Sequence, residues 1–268
     1  MADTDDNQQQ PEEQQNEQNQ QQEAQGHQPN QTIIGFMSAN KVDAALWGTR
    51  MFTVISTILF IIPIFGGNSY SFYQRALISN AATSALRLHQ RVPHFQLNRE
   101  FFSMLFMEDS AHYLFFSLIF ITSYPMTMAL VPVFLFGLLH SVSYTKKLLD
   151  IMGPNSQQLL RNLIAKLQLQ QANILRFIAC NEIFLMPATV IMIFSGSGSL
   201  LMPFLYYRFL SLRYASRRNP YSRALFYELR VTAEHFSNMP QCPAFLRNLV
   251  FKAIGYINRL APATTPAQ

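Results

Sequence analysis

Charged residues and cysteines are scarce in this chain of 268 residues. Only 13% of the residues are charged and two are cysteines, whereas 49% are hydrophobic. Two cysteines are too few for the disulfide framework of a small secreted domain. Cys180 lies in a hydrophobic segment and Cys242 in a basic one. We therefore predict that both are reduced thiols.

Motifs of catalysis and of metal or nucleotide binding are also missing from the sequence. It contains no Walker loop, no dinucleotide fingerprint, no nucleophile elbow and no zinc-type spacing of histidine or cysteine. His112 follows Glu108 and Asp109, but a capped helix start explains these residues as well as a metal site does. The sequence predicts no catalytic residue, no metal, no cofactor and no nucleic-acid partner.

Long uncharged segments are what the chain has instead. Residues 51–65 run for fifteen positions without a charge. A bilayer core is about 30 Å thick and takes roughly 20 helical residues to cross. These segments predict an all-α, multi-pass helical membrane protein, with a membrane domain over 36–212. We place its spans at about 49–66, 112–139 and 177–195, with a weaker fourth at 199–212.

The second of these segments carries Pro125 and Pro132. Its 28 residues would form a helix of about 42 Å, too long for one upright crossing and too short for two. Either a kinked, tilted helix or a wedge-like hairpin fits, and we favour the kinked single span. Between the third and fourth segments, the Gly/Ser run 195–198 predicts a helical hairpin.

The two ends of the chain differ sharply in charge. Residues 1–32 hold twelve Gln and seven acids but no Lys, Arg or aromatic residue, so we predict a disordered tail over 1–35. All 20 basic residues fall in the rest, against the other eight of the 15 acids. Such a basic, apolar body suits contact with anionic lipid headgroups.

Basic charge also predicts which side of the membrane each end occupies. Residues 208–268 hold nine Lys or Arg and two acids, which places the region 213–268 in the cytosol by the positive-inside rule. Four crossings would put the N-terminal tail in the cytosol as well, and three would put it in the lumen. We favour four.

Three segments outside the spans have amphipathic patterns: 70–91, 220–237 and 243–260. The first either packs on its own protein or lies on the membrane. We predict that the last lies on the membrane surface, with packing on a neighbouring helix as the alternative. Its apolar face holds Phe245, Leu249, Val250, Ile254 and Ile257, and its basic face holds Arg247, Lys252 and Arg259.

One acid, Glu182, lies well inside the third span, where an unpaired carboxylate is costly. If the chain turns tightly at Gly196, Glu182 stands 14 residues before the turn and Arg208 12 residues after it. The two would lie at nearly the same depth and form an intramembrane charge pair. Alternatively, Glu182 lies at the interface, where water and Arg176 surround it.

Four segments, TSALRLHQRVPHFQL (83–97), LIFITSYPMTM (118–128), FIACNEIFLMPAT (177–189) and YYRFLSLRYASRRNPY (206–221), closely resemble one family. This is the transmembrane protein 33 or Krüppel homolog 2 family, related to fungal nuclear-envelope and pore-associated membrane proteins. The resemblance runs from about 36 to 262.

The resemblance implies a multi-pass protein of the endoplasmic reticulum membrane and nuclear envelope. It implies links to tubular network shape through reticulon-type partners, to nuclear pore distribution and to stress signalling, and it carries over no catalytic residue. We therefore expect a non-enzymatic scaffold or regulator of membrane shape whose partners include the lipid bilayer, anionic lipids and other nuclear-envelope membrane proteins. A channel or transporter subunit is the alternative.

Overall fold

A computed structural model describes residues 32–62, 69–92, 98–153, 156–196, 198–216 and 219–260. Within these ranges the chain forms eleven α-helices and no β-strand. The helices are α1 Ile33–Ala39, α2 Lys41–Ile61, α3 Ser69–Arg91, α4 Arg99–Met107, α5 Asp109–Ile121, α6 Thr127–Ile151, α7 Gln158–Leu169, α8 Gln171–Phe194, α9 Leu201–Ala215, α10 Pro220–Ser237 and α11 Ala244–Leu260. Residues 1–31 of the predicted disordered tail lie outside the described residues. Its last residues, 33–35, are helical in α1, so the bound at 35 is wrong.

Three helices are long and apolar enough to cross a bilayer: α2, α6 and α8. Their 21, 25 and 24 residues correspond to about 31–37 Å of helix. The outer surfaces of the helices expose large apolar side chains where a soluble protein would place polar ones, including Phe52, Ile55, Leu118, Phe184 and Ile191. The prediction of an all-α, multi-pass membrane protein is confirmed.

Helices α2 and α3 form a first antiparallel hairpin. Ser79 Oγ donates to the Thr49 carbonyl at 2.7 Å, and the rings of Phe60 and Tyr73 lie 5.6 Å apart. On its other side, α3 contacts α5, where Asn80 Nδ2 donates to Ser117 Oγ at 2.8 Å. Because α3 is packed between two helices, the amphipathic segment 70–91 belongs to the bundle and does not lie on the membrane.

The predicted span 112–139 is two helices, α5 and α6. The ring centroids of Tyr113 and Phe136 lie 4.7 Å apart, each about nine residues from the break at 122–126, so α5 and α6 run antiparallel. Pro125 stands in this break because it lacks an N–H and keeps the residue before it out of the helical region. The prediction of a single kinked span is therefore wrong, and the hairpin alternative is correct.

Helices α8 and α9 form the third hairpin. Tyr206 Oη on α9 donates to the Glu182 carbonyl on α8 at 2.7 Å. The chain reverses just after α8, where Gly196 has a φ of +73°, a left-handed conformation that glycine adopts without strain. The weakly predicted segment 199–212 is thus the helix α9, which packs inside the bundle.

An aromatic core joins the three hairpins. Phe116 and Phe120 of α5 lie against Tyr206 and Phe209 of α9, with ring centroids 4.9 to 6.3 Å apart. The same core takes in residues from the other long helices: Tyr73 and Leu77 of α3, Leu130 and Val133 of α6, and Leu185 of α8. Large rings at these positions keep the helices in one body rather than three independent hairpins.

The remaining helices pack around the end of the bundle opposite the hairpin connections, except that the last turn of α11 lies beside the middle of α9, where Tyr207 Oη donates to the Leu260 carbonyl at 2.9 Å. Helix α7 packs there through Ile164 on Val142 and Leu149 of α6. Helix α10 begins at Pro220, where the Asn219 side chain accepts a hydrogen bond from the Tyr221 N–H at 3.2 Å. Helix α11 attaches loosely and buries none of its residues.

A buried ion-pair cluster and the cavity beside it

Glu182 and Arg213 form an ion pair in the interior of the bundle. Glu182 is 0% exposed and Arg213 1%. Arg213 Nε donates to Glu182 Oε2 at 3.1 Å, and the Tyr113 hydroxyl donates to Glu182 Oε1. Both carboxylate oxygens therefore have a partner, which is what a charge needs in a low-dielectric interior.

The sequence predicts Arg208 as the partner of Glu182, and this pairing is wrong. Arg208 is exposed, and its guanidinium lies 5.7 Å from the ring centroid of Phe204 on its own helix. The turn between α8 and α9 is not tight, because residues 195–200 stand outside both helices. Counted from the helix ends, Glu182 lies twelve residues before Phe194, and Arg213 lies twelve residues after Leu201. The two therefore meet at the same depth.

Arg176, the other basic residue proposed near Glu182, also points elsewhere. Its guanidinium pairs with Glu228 of α10, and both side chains are about half exposed. The pair links the start of α8 to α10 at the surface of the bundle, where such interactions contribute little to stability. The alternative prediction, that Glu182 is solvated at an interface, is therefore wrong, because Glu182 is enclosed in the bundle.

A second carboxylate completes the cluster on the side of α5. Arg213 Nη1 donates to Asp109 Oδ1 at 3.1 Å, and Ser216 Oγ donates to the same oxygen at 3.0 Å. The guanidinium carbon lies 5.3 Å from the ring centroid of Tyr113 and 5.9 Å from that of Phe136. Arg213 of α9 thus contacts α5, α6 and α8 at once.

Asp109 and its neighbours show how the start of α5 is held. Asp109 is the first residue of the helix, where a negative charge interacts favourably with the helix dipole. Glu108, just before it, pairs with Arg91 at the end of α3 at 2.7 Å. His112 is fully buried, and its Nε2 lies 2.6 Å from the Phe106 carbonyl, which can only accept, so Nε2 donates.

The chemistry of the cluster is that of a structural clamp. Arg213 bonds to the carboxylates of Glu182 and Asp109 on two other helices. The Ser216 hydroxyl donates to the same Asp109 oxygen that accepts from Arg213. Among the described residues, no group of three or more His, Cys, Asp or Glu is placed to hold a metal ion.

Beside the cluster lies an open cavity of about 270 Å³. All three hairpins contribute to its wall. The basic residues of the wall are Arg50 of α2, Arg87 and Arg91 of α3, His140 of α6 and Arg213 of α9, and Asp109 is the acid. Sequence reasoning missed this cavity because its basic residues are spread from position 50 to position 213 and meet only through helix packing.

The positions of Trp47 and Arg50 show why the sequence did not predict the cavity. Both are residues that anchor spans at membrane interfaces, and the sequence suggests that role. In the structure they face another helix instead: Trp47 Nε1 donates to Thr145 Oγ1 at 2.9 Å, and Arg50 Nη1 donates to the His140 carbonyl at 3.0 Å. An arginine nine residues into an apolar helix was the signal that could have indicated a polar interior.

The residues predicted to bind the membrane surface lie on α11. Phe245 is 79% exposed, and Leu249 and Ile257 are about half exposed. Val250 and Ile254 are partly covered, Lys252 and Arg259 are exposed, and Arg247 Nε donates to the Ser237 carbonyl at 2.9 Å. The apolar face of α11 is thus largely uncovered by protein, and its contact with lipid remains a prediction.

The fold and the buried clamp define a class: a membrane protein of packed helical hairpins. Comparison with known proteins gives the family. Residues 25–263 match the family described as Transmembrane protein 33/Nucleoporin POM33, and the chain belongs to it. No solved structure matches the chain.

Relatives from several animals support the assignment. The chain is 60% identical to transmembrane protein 33 of Homo sapiens over 230 residues, covering 85% of this chain and 93% of the relative. It is 43% identical to Krueppel homolog 2 of Drosophila melanogaster over 235 residues, covering 88% and 84%. It is 41% identical to a transmembrane protein 33 homolog of Caenorhabditis elegans over 237 residues, covering 86% of each chain.

Proposed function

We propose that this protein is a non-enzymatic scaffold that regulates the shape of endoplasmic reticulum and nuclear-envelope membranes. The observation that carries the proposal is the asymmetry of the bundle. The hairpin connections and their flanks, 58–70, 119–130 and 191–203, contain no charged residue. The opposite end carries the extra helices α4, α7 and α10, the start of α11, and most of the basic residues.

This asymmetry supports a role in curvature for a physical reason. Helices added at one end of a hairpin bundle occupy more area in one leaflet than in the other. Insertion of the apolar face of α11, and of exposed residues of α4 such as Phe102 and Phe106, would increase the difference. The family description and the resemblance support the compartment, and reticulon-type and nuclear-pore membrane proteins are the partners that we propose.

Depletion followed by rescue tests the proposed function. We expect cells that lack the protein to show altered tubular network morphology and altered nuclear pore distribution. Wild-type protein should restore both. A variant with Leu249, Val250 and Ile254 changed to Ser should restore them only in part, if its level in the membrane equals that of the wild type.

Unchanged morphology, pore distribution and reticulon association after depletion would contradict the proposal. A channel or transporter is separated from it by ion and solute flux into liposomes that contain the purified protein. A scaffold gives no flux above that of empty liposomes, whereas it changes the diameter of tubules pulled from the same membranes.

A further inference from the structure

We infer that a second cavity, bounded by α8, α9, α10 and α11, binds a single-chain lipid whose anionic head lies beside Arg223. The cavity has a volume of about 390 Å³, within the roughly 300–1,000 Å³ that is usual for small-molecule sites. Its wall shares none of its described residues with the cavity beside the ion-pair cluster. The inference does not depend on the proposed role in membrane shape.

The wall of the second cavity is largely apolar. All four helices contribute to this surface, through Ile183 and Met186, Leu210, Phe226, and Ile257 and Leu260. An acyl chain fits such a surface, but a chain that leaves the bilayer for it gains little, because lipid tails are equally apolar. The polar groups of the wall therefore decide which lipid binds.

Arg223 of α10 is the polar group that lacks a counter-charge. The described residues of the wall include two arginines, Arg223 and Arg230, and no acid. Arg230 pairs with Glu234 at 2.7 Å. Arg223 is half-buried, and no hydrogen bond or ion pair joins it to any residue that the structure describes. A charge that water reaches only partly is stabilised by an anion.

The acids of the four helices do not supply this anion. Helices α9 and α11 contain no Asp or Glu. The acid of α8, Glu182, pairs with Arg213. In α10, Glu228 pairs with Arg176, and the other acid is the partner of Arg230. A guanidinium group that is left over in this way suits a carboxylate or a phosphate, because its planar N–H groups match pairs of oxygen atoms.

The cavity also has the orientation of a lipid in one leaflet. The ring centroids of Tyr214 and Phe226 lie 5.6 Å apart, and Tyr214 is one residue before the end of α9 at Ala215. Arg223, one turn before Phe226, is therefore near the basic end of the bundle. Tyr207, also in the wall, lies about 10 Å deeper along α9. A lipid head at Arg223 would thus lie near the interface, with its chain directed toward the hairpin connections.

Helix α11 covers the deeper part of the cavity. Its last turn is held by the hydrogen bond from Tyr207 Oη to the Leu260 carbonyl at 2.9 Å, and Ile257 and Asn258 line the cavity beside it. Because α11 buries none of its residues, moving it aside breaks few contacts. The helix therefore serves as a cover that opens for the lipid to enter.

A photoactivatable analogue of palmitic acid tests the inference on the purified full-length protein in phosphatidylcholine nanodiscs. Mass spectrometry locates the labelled residues. The competitors are oleic acid, lysophosphatidic acid with the same chain, and oleyl alcohol, which has the chain without the charge. We expect at least one charged competitor to remove the label from 183–187 and 207–214, and oleyl alcohol to leave it. Label on exposed apolar residues such as Phe52 and Ile55 should persist with every competitor.

The charged competitors also distinguish the kind of head. Removal of the label by oleic acid alone would identify a carboxylate, removal by lysophosphatidic acid alone a phosphate, and removal by both an anionic head of either kind. Equal removal by oleyl alcohol would overturn the inference. A cavity wall that takes no label, or that keeps its label with every competitor, would overturn it as well.

Arg223→Gln should lower the affinity of the charged lipids by at least about tenfold, because a charge-assisted hydrogen bond is removed. Without ligand it should melt at or above the wild-type temperature, since Arg223 has no partner to lose among the described residues. The matched control is Arg208→Gln, which removes an exposed guanidinium group over Phe204, outside the wall, and should bind as the wild type does. An Arg223→Gln variant with wild-type affinity would overturn the inference.

Ser211→Phe keeps the test decisive if Arg223→Gln fails to fold. Ser211 lines the cavity from α9, so a phenylalanine there would occupy the space of the acyl chain and leave Arg223 in place. This variant should lose the label that charged lipids remove from the wild type. A folded Ser211→Phe variant that keeps this label would show that the chain lies elsewhere, and the inference would fall.

Discussion

Arg213 is the residue that joins the second and third hairpins through its ion pairs. Its side chain is 1% exposed and bonds to Glu182 of α8 and Asp109 of α5, while its guanidinium lies over Tyr113. A charged group so enclosed is tolerated only with its partners in place. Its removal would leave two carboxylates without their counter-charge, so we expect the cluster to affect stability more than ion pairs at the surface do.

We predict that Arg213→Gln lowers the free energy of unfolding by about 3–5 kcal/mol, the cost of breaking a buried pair. Arg208→Gln, on the same helix but exposed, should change it by less than about 0.5 kcal/mol. Thermal or denaturant unfolding in detergent measures both. In a double-mutant cycle, Glu182→Gln with Arg213→Gln should lose less than the sum of the single losses. Additive losses would contradict a direct interaction.

At the scale of helices, a glycine sets the distance between α2 and α6. A Cβ atom on Gly137 would lie 3.3 Å from Val54 Cγ2 and 3.5 Å from the Arg50 carbonyl oxygen. Small residues allow the backbones of membrane helices to approach closely. The contact at Gly137 therefore places Arg50 beside α6, and so it also shapes the cavity.

Gly137→Leu should force α2 and α6 apart and destabilise the protein by about 1–3 kcal/mol, the usual cost of overpacking. Gly48→Leu on α2 is the matched control, because a Cβ atom there meets nothing within 4 Å. We expect this control to leave stability unchanged or slightly higher, since leucine favours helix more than glycine does. Equal melting temperatures for the two variants would mean that the close approach contributes nothing.

Helix α11, in contrast to the closely packed α2 and α6, makes few contacts with the rest of the protein. Its link to α9 is a hydrogen bond from Tyr207 Oη to the Leu260 carbonyl at 2.9 Å. Most of its apolar side chains are exposed, and basic residues occupy the other face. These features favour a helix that exchanges protein contacts for lipid.

We predict that a peptide of residues 243–261 becomes helical on vesicles that contain anionic lipid, as measured by circular dichroism. Changing Leu249, Val250 and Ile254 to Ser should abolish binding, because the apolar area supplies most of the affinity. High salt should only weaken it, by screening the charges. A peptide that stays unstructured with anionic vesicles would support packing on α9 and α10 instead.

At the scale of the whole molecule, the three hairpins determine where the ends of the chain lie. Each hairpin leaves and returns to the same end of the bundle, so the start of α2 at Lys41 and the end of α9 at Ala215 lie at one end. The hairpin connections and their flanks at the other end carry no charge. The positive-inside rule predicts that the basic end faces the cytosol. We therefore predict an even number of crossings, with the segments before Lys41 and after Ala215 on the cytosolic side.

We therefore expect a glycosylation acceptor fused at residue 1, or after residue 268, to remain unmodified in endoplasmic reticulum membranes. An acceptor inserted at 122–126, in the connection between α5 and α6, should be modified if that hairpin crosses fully. A gel-mobility shift reversed by glycosidase reports each result. Efficient modification of the acceptor at residue 1 would contradict the hairpin arrangement and favour three crossings.

The sequence by itself determined that this is an all-α membrane protein, because uncharged segments such as 51–65 leave few alternatives in water. It also predicted the amphipathic segment 220–237, which has the bounds of α10, and the Asn219 cap followed by Pro220 starts this helix through local contacts. Both features depend on residues that are close together in the sequence.

Tertiary structure alone decided which residues meet. The partner of Glu182 is Arg213 rather than Arg208, because the length of the connection after Phe194 sets the register of α9, and no local pattern reports that length. The chain forms a hairpin at Pro125 because Tyr113 and Phe136 pack against each other across the break. The basic cavity exists only because Arg50 and Arg87, 37 positions apart, are placed together by the packing of α2 on α3, where Thr83 Oγ1 donates to Thr49 Oγ1 at 2.9 Å.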